Sequence, residues 1–280
     1  MRKAWKNIPK KPYKKITALL FASAFFFLPC FSVPSRPRLE TAAVAAKSEG
    51  YKSWEVISSY TTYFNKTETD RRENIEIAAS LIDGVIVQPY GDFSFNQTVG
   101  RRTAEAGFKQ AKIIVNGEYA VGVGGGVCQV STTLYNAALK SGLTVTEFHA
   151  HSLQVSYVAP SRDAMVSTQS DLKFSNPHPF PVRLNAKAAD GAVRVSFTGK
   201  KDGYRYEIVS ETLGEIAPPP PVVKEGEEEK IVRSPKNGIK SEAYLECYEG
   251  DALVSRKRLR IDEYRAVQGI IVKKIGNTTD

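Results

Sequence analysis

The part of this 280-residue chain best suited to covalent chemistry is a cysteine set where a glycine run turns into a helical pattern. In Gly124-Gly125-Gly126-Val127-Cys128-Gln129-Val130-Ser131-Thr132-Thr133 the glycines open positive φ to the backbone and let a ligand come close. The helix start that follows offers unpaired N–H groups and the positive end of a dipole, both favourable to an anion. A free thiol titrates near ~8.5, and a helix N-terminus brings it to roughly 3.5–7.5, so Cys128 is a candidate thiolate nucleophile. Two of the three histidines, His149 and His151, follow in Phe148-His149-Ala150-His151-Ser152. Cysteine with histidine is the pairing of nucleophilic catalysis, the imidazole taking the thiol proton and returning it to the leaving group. The residues alone do not choose between the two histidines.

Around the thiol, Gly125, Gly126, Gln129, Ser131 and Arg162 are candidate substrate-binding residues. The N–H groups of Gly126 to Gln129 suit an oxyanion, and Arg162 suits a carboxylate, with a surface role equally open. Ser131 and Thr132 compete as capping hydroxyls. Asp163 either orients a histidine or caps a turn, the turn being the more ordinary reading. His178, between Pro177 and Pro179, reads as a loop histidine. Cys128, His149 and His151 also raise a zinc site, but no acidic or cysteine ligand cluster accompanies them. Neither a metal nor a cofactor is expected.

The elements that must position these groups are short. Trp54 to Phe64 reads as a strand, and Asp70 to Ile82 as a helix with Asp70 as N-cap and Asp83-Gly84 as stop. Val85 to Val87 and the segment around Phe93 to Phe95 read as strands, and Ala111 to Val121 as a hairpin about Asn116-Gly117. The helix opening at Cys128 runs to Ser141, with Val127, Val130, Leu134, Ala137 and Ala138 as its buried stripe and Gly142 as its end. Leu143 to Val158 reads as extended, which puts His149 and His151 on one face. Strands are expected at Val182 to Leu184, Val193 to Phe197, Ala243 to Glu249, Leu253 to Ile261 and Val267 to Lys273. The fold class is therefore α+β: a mostly antiparallel β domain with a buried helix starting at the cysteine, plus a small C-terminal β unit.

The formal charge of +9 invites a nucleic-acid reading, but nine of the 39 Lys and Arg fall within residues 1–38, which hold no acid. Thirty basic and thirty acidic residues remain, so the body is near neutral and no nucleic-acid partner is expected. The basic opening leads into the apolar stretch Ile16 to Val33, a signal or membrane anchor that leaves its leading end in the cytoplasm and exports the rest. The organisation reads as 1–33 signal or anchor, 34–50 linker, 51–200 catalytic domain, 201–230 Pro/Glu-rich linker and 231–280 accessory β unit. The expected location is outside the membrane, anchored or secreted. In an oxidising compartment Cys128 and Cys247 are also candidates for a disulfide.

From about Trp54 to Phe197 the chain resembles the VanW-domain family. The resemblance rests on Gly91 to Asn96, Gly124 to Asn136, His149 to Ser152, Tyr157 to Ala164 and Asp171 to Asn176, and the β unit after the proline run Pro218 to Pro221 is similar to a segment found C-terminal to such domains. The resemblance implies an L,D-transpeptidase that forms 3-3 cross-links between peptidoglycan stem peptides through the cysteine matching Cys128. It matches both His149 and His151 to family positions, and Phe148 stands where the family often has arginine. The alternative is a non-catalytic peptidoglycan-binding or scaffolding module tied to envelope and glycopeptide-resistance functions, with Cys128 inert or bridged to Cys247.

Overall fold

The computed structural model describes residues 54–115 and 117–274. The expected anchor and the linker after it lie outside the described residues, and among those described no helix is long and apolar enough to cross a membrane. The α+β class holds, with antiparallel sheets built around a few helices.

A four-stranded antiparallel sheet forms the floor. Its order is β1 (Glu55–Tyr63), β9 (Ala192–Gly199), β8 (Val182–Ala189) and β2 (Ile86–Val87). β8 and β9 alternate buried and open positions, and Val182, Leu184, Val193, Val195 and Phe197 are fully buried on the inner face. Their connection is Asp190-Gly191, both at positive φ (53° and 77°), a two-residue turn whose twist suits a hairpin. α1 (Thr69–Ile82) packs on β8, and α3 (Val127–Lys140) packs on β1, β9 and α1.

α3 is buried nearly all round, from Val127 and Gln129 through Leu139. An interior helix of this kind must satisfy its polar side chains internally, and it does so with Thr133 Oγ1 to the Gln129 carbonyl and Asn136 Nδ2 to the Thr132 carbonyl. It closes through Leu143 N–H to Ala138 O and Gly142 N–H to Leu139 O, with Gly142 at φ +72°, the paired bonds of a Schellman end.

The remaining elements frame the cysteine. β4 (Gln110–Val115) and β5 (Glu118–Val123) make the expected hairpin. β3 (Asp92–Ser94), β7 (Lys173–Ser175) and β6 (Thr144–Glu147) form a small sheet in the order β3-β7-β6, which stacks Phe93 on Phe174 with ring centroids 4.6 Å apart. Phe95 is not part of a strand but starts a short helix, α2 (Phe95–Val99), capped by Ser94 Oγ, which accepts from Gln97 N–H. α1 begins at Thr69 with Glu68 as N-cap, so Asp70 lies inside the first turn instead of capping it.

Two expectations change. The extended segment after Gly142 stops at Glu147, and residues 148–158 follow an irregular path set by side-chain bonds. The 201–230 region is not a linker throughout: it contains β10 (Arg205–Ile216) and β11 (Val222–Gly226), interrupted only by the proline run, which cannot donate to a ladder. β10 pairs with β13 (Gly238–Glu249), which pairs with β14 (Ala252–Tyr264), while β11, β15 (Ile270–Lys274) and β12 (Lys230–Arg233) form a further sheet. Ile208 of β10 and Ala243 of β13 belong to the same core as α3.

Candidate functional site

Each glycine of the Gly124-Gly125-Gly126 turn is required by geometry. Gly124 and Gly126 have φ of +84° and +109°, where a side chain is strained. At Gly125 a Cβ would sit 2.6 Å from the Lys112 carbonyl oxygen, so the turn presses directly on the backbone of β4. Asn74 of α1 locks the arrangement, its Nδ2 donating to both Gly125 O (2.9 Å) and Lys109 O (3.0 Å). α3 therefore starts at a fixed point, and Cys128 falls in its first turn.

Cys128 is half-buried on the wall of a cavity of about 960 Å³, which His151, Tyr157 and Arg102 also line. In its protonated form the thiol reaches the Val166 carbonyl oxygen at 3.4 Å. The imidazole of His151 lines the same cavity and acts electrostatically on the sulfur. His151 Nδ1 lies 2.6 Å from Asp163 Oδ2, and the same oxygen accepts the His151 backbone N–H at 2.7 Å. Asp163 thus grips both ring and main chain of His151, which leaves Nε2 as the nitrogen for the thiol.

The electrostatics follow from this chain of contacts. Burial pushes the Cys128 thiol up, but the hydrogen bond and charge of His151, helped by the Arg102 guanidinium, outweigh it and hold the thiol below its usual value. Burial works against the His151 cation too, yet the bonds to Asp163 and Cys128 raise the imidazole to about 9. Asp163 is penalised by burial, and His151, Arg260 and Tyr264 more than offset this, keeping its carboxyl below the ordinary range. Each partner thus favours the charged form of the other, thiolate beside imidazolium.

The C-terminal sheet completes the site, which no local sequence pattern announced. Tyr264 of β14 donates to Asp163 Oδ1 at 2.5 Å and accepts from Ser161 N–H at 2.7 Å. Arg260 donates to the Asp163 carbonyl oxygen at 2.6 Å, is tied to Asp262, and lies over the Phe148 ring with its guanidinium carbon 4.7 Å from the centroid. Arg265 N–H holds the Ser152 carbonyl, and Ser241 of β13 meets Ser161 through their hydroxyls. Both strips of chain that carry the histidine and the aspartate are therefore pinned by β13 and β14.

The other expected residues divide plainly. His149 is apart from the thiol group, its Nε2 3.0 Å from Glu147 Oε1, because the strand ends before it and its ring turns to that carboxylate. Glu147 is drawn down to about 2 by Lys173, His149 and the Asp171 N–H. Asp163 orients His151, which goes against its reading as a turn cap. Ser131 and Thr132 bond Ala164, Ser131 Oγ to its carbonyl at 2.6 Å and Thr132 Oγ1 from its N–H at 2.9 Å, so they fix the Asp163 segment instead of facing a substrate. Arg162 lies against Asn136 and the Tyr60 ring, away from the cavity lining. Gln129 lines the cavity, but its amide is engaged by Arg71, Thr62 and Tyr63. Gly126 lines the cavity and Gly125 packs behind it. His178 is stacked on Phe180 in its loop. Cys128 and Cys247 are free thiols, and among the described residues no group of His, Cys, Asp and Glu side chains gathers in a way that could hold a metal ion.

Residues 70–198 match the model of a family described as VanW like protein. Over 169 residues the chain is 40% identical to the uncharacterized protein YoaR of Bacillus subtilis, covering 60% of this chain and 54% of that protein. Over 110 residues it is 28% identical to the vancomycin B-type resistance protein VanW of Enterococcus faecalis, covering 37% of this chain and 40% of that one. The matched stretches thus span about half the length of these relatives or less. Among solved structures, the G5 domain of an IgA1 protease aligns with 28% of this chain and 100% of its own, at 16% identity and a TM-score of 0.18. The family match, together with the two relatives, identifies residues 70–198 of this chain as a VanW-like domain.

Proposed function

We propose that the domain is a cysteine acyltransferase of the cell wall, an L,D-transpeptidase that joins peptidoglycan stem peptides by 3-3 cross-links. The observation that supports it most is that Cys128 and His151 line one cavity wall while Asp163 holds the imidazole from behind. The Cys128 thiolate attacks the carbonyl carbon of an L,D peptide bond and forms a carbon–sulfur bond. Val127 and Gln129 spend their N–H groups on Gly124 and Gly126 carbonyls within the turn, so the N–H groups of Gly126 and Cys128 are the donors left for the oxyanion, typically worth ~2.7–4 kcal/mol each. As the carbon–nitrogen bond breaks, the His151 imidazolium gives its proton to the departing amine. An amine of a second stem then attacks the thioester, His151 takes its proton, and the thiolate leaves.

In this reading the domain is exported and works at the outer face of the membrane, anchored through residues 1–33 or secreted. The vancomycin-resistance name of the Enterococcus faecalis relative accords with action on the envelope. The test is cross-linking of purified tetrapeptide muropeptides by the full chain, followed by mass spectrometry. Cys128→Ala should abolish dimers and Cys247→Ala leave them largely intact. Dimer formation by the Cys128→Ala variant would rule the nucleophile out. A second reading, a non-catalytic wall-binding or scaffolding module, is favoured by the exposed apolar side chains Val222, Val223, Ile231 and Val232 on the C-terminal sheets. Peptidoglycan pull-down with no thioester and no dimers supports that reading.

A further inference from the structure

Two arginines flank the glycine turn, one at each end. A Cβ at Gly124 would lie 3.2 Å from Arg102 Cβ, and one at Gly126 would lie 3.2 Å from Arg71 Cγ, so the stems of both side chains pack on the turn that delivers Cys128. Both line the cavity. Arg102 is steadied by Asn96 Oδ1 at 2.8 Å and by Gly100 O at 3.2 Å. Arg71 gives Nη2 to Gln129 Oε1 at 2.9 Å, while its Nη1 is buried and has no hydrogen-bond partner among the described residues. A buried guanidinium nitrogen without an acceptor is costly, and a charged acceptor brought by a ligand would relieve it. The lining also includes Arg101 and Lys112 against a single carboxylate, Glu68, which is paired with Arg71 at 3.7 Å. This cationic excess belongs to the cavity and not to the chain body, whose charges balance.

We propose that Arg71 and Arg102 form a carboxylate subsite beside Cys128, and that the ligand is a peptide whose free C-terminal carboxylate sits one residue beyond the carbonyl presented to the sulfur. The inference rests on the acyl-transfer reading and adds its donor specificity: the group bound by the arginines departs with the amine. A C-terminal carboxylate fits better than a bulkier dianion, because Arg71 has only one nitrogen without an acceptor and the guanidinium of Arg102 is already partly committed.

The experiment is calorimetric binding to the full-length Cys128→Ala protein, which separates recognition from chemistry. The probes are a synthetic tetrapeptide ending in a D-alanine acid, the same peptide as its C-terminal amide, and inorganic phosphate. The acid should bind about tenfold or more tightly than the amide, the size of one lost charge-assisted bond, and Arg102→Met in the same background should erase the difference. Arg71→Met should do the same, and because that residue also braces Gln129 its folding is checked by thermal melting. Equal binding of acid and amide, no binding of either, or tighter binding of phosphate than of the acid overturns the subsite. If acid-selective binding is present while unsubstituted protein never forms a thioester, the acyl-transfer reading fails and the subsite remains.

Discussion

Tyr264 and Asp163, 101 residues apart in sequence, meet at 2.5 Å, with the phenol donating to the carboxylate oxygen that His151 does not use. The hydroxyl is fully buried and also receives the Ser161 N–H. Tyr264→Phe leaves Asp163 Oδ1 and Ser161 N–H short of a partner, a loss of about 1–3 kcal/mol. Urea unfolding should show that destabilisation, and thiol alkylation of Cys128 at pH 7 should slow, since the carboxylate holding His151 is less well fixed.

The same contact predicts that a fragment ending at residue 200 is not self-sufficient. It would lose Ile208 and Ala243 from the core around α3, together with Tyr264, Arg260 and the Ser161–Ser241 bond. We expect residues 51–200 to be aggregated or to expose Cys128 to reagents without selective reactivity. A soluble fragment with a cooperative melt and full-chain labelling rates counts against the C-terminal sheet as part of the site.

Stability should depend on pH in a defined way. Asp163 is lowered in the folded state, so its contribution is present above the unfolded value of ~3.9 and fades as pH falls through the native one. His151 is raised to about 9, so its contribution is full below the unfolded value of ~6.5 and is lost as pH climbs through about 9. Cys128, lowered in the folded state, works the other way: its contribution is full above the unfolded value of ~8.5 and partly offsets the His151 loss below it, so the marked decline should come only as pH climbs through about 9. Thermal melts of the wild type and of Cys128→Ala from pH 3 to 10 check it. The alanine variant, lacking one of the partners that raise His151, should begin its alkaline decline earlier.

Gly125→Ala places a methyl 2.6 Å from the Lys112 carbonyl oxygen and 2.8 Å from the Ala111 carbonyl carbon, against backbone that cannot rotate aside. The expected cost is about 1–3 kcal/mol, with displacement of the β4–β5 hairpin from the cavity. Gly214→Ala, where a Cβ meets nothing within 4 Å, should stay within about 0.5 kcal/mol. Paired denaturation curves test the contrast.

Local patterns made much of this molecule legible. Alternation marked β1, β8 and β9, Asn-Gly marked the β4–β5 turn, and the glycine run with its apolar stripe marked α3. Cys128 was readable because glycine turn, helix start and thiol fall within a few residues. Long-range pairings were not readable. Asp163 looked like turn chemistry because its partners are His151 on an irregular segment and Tyr264 on β14. Ser131 looked available to a ligand because nothing nearby shows that the Ala164 carbonyl will close on it. α2 was missed because its cap depends on Asp171, 75 residues past Asn96, which accepts the Asn96 N–H and the Ser94 hydroxyl. Nothing local to Arg71 marks it as part of the site, and only the packing of α1 on the glycine turn brings it to the cavity.

The two histidines, indistinguishable by spacing, should separate sharply in the thiol's behaviour. His151 shares the cavity wall with Cys128, acts on its sulfur and is held by Asp163, while His149 turns to Glu147 and its backbone carbonyl receives the Met165 N–H. His151→Ala removes the leading influence that offsets burial of the thiolate, so the thiol should titrate upward. Each unit of that rise lowers the thiolate fraction about tenfold once the pKa exceeds the working pH. His149→Ala leaves the sulfur's own partners in place, and the alkylation profile should keep its midpoint. Iodoacetamide rates from pH 5 to 10, with Cys247 replaced by alanine so that one thiol reports, give both midpoints. A larger shift for His149→Ala than for His151→Ala would reverse the assignment and place the base on the Glu147 side of the segment.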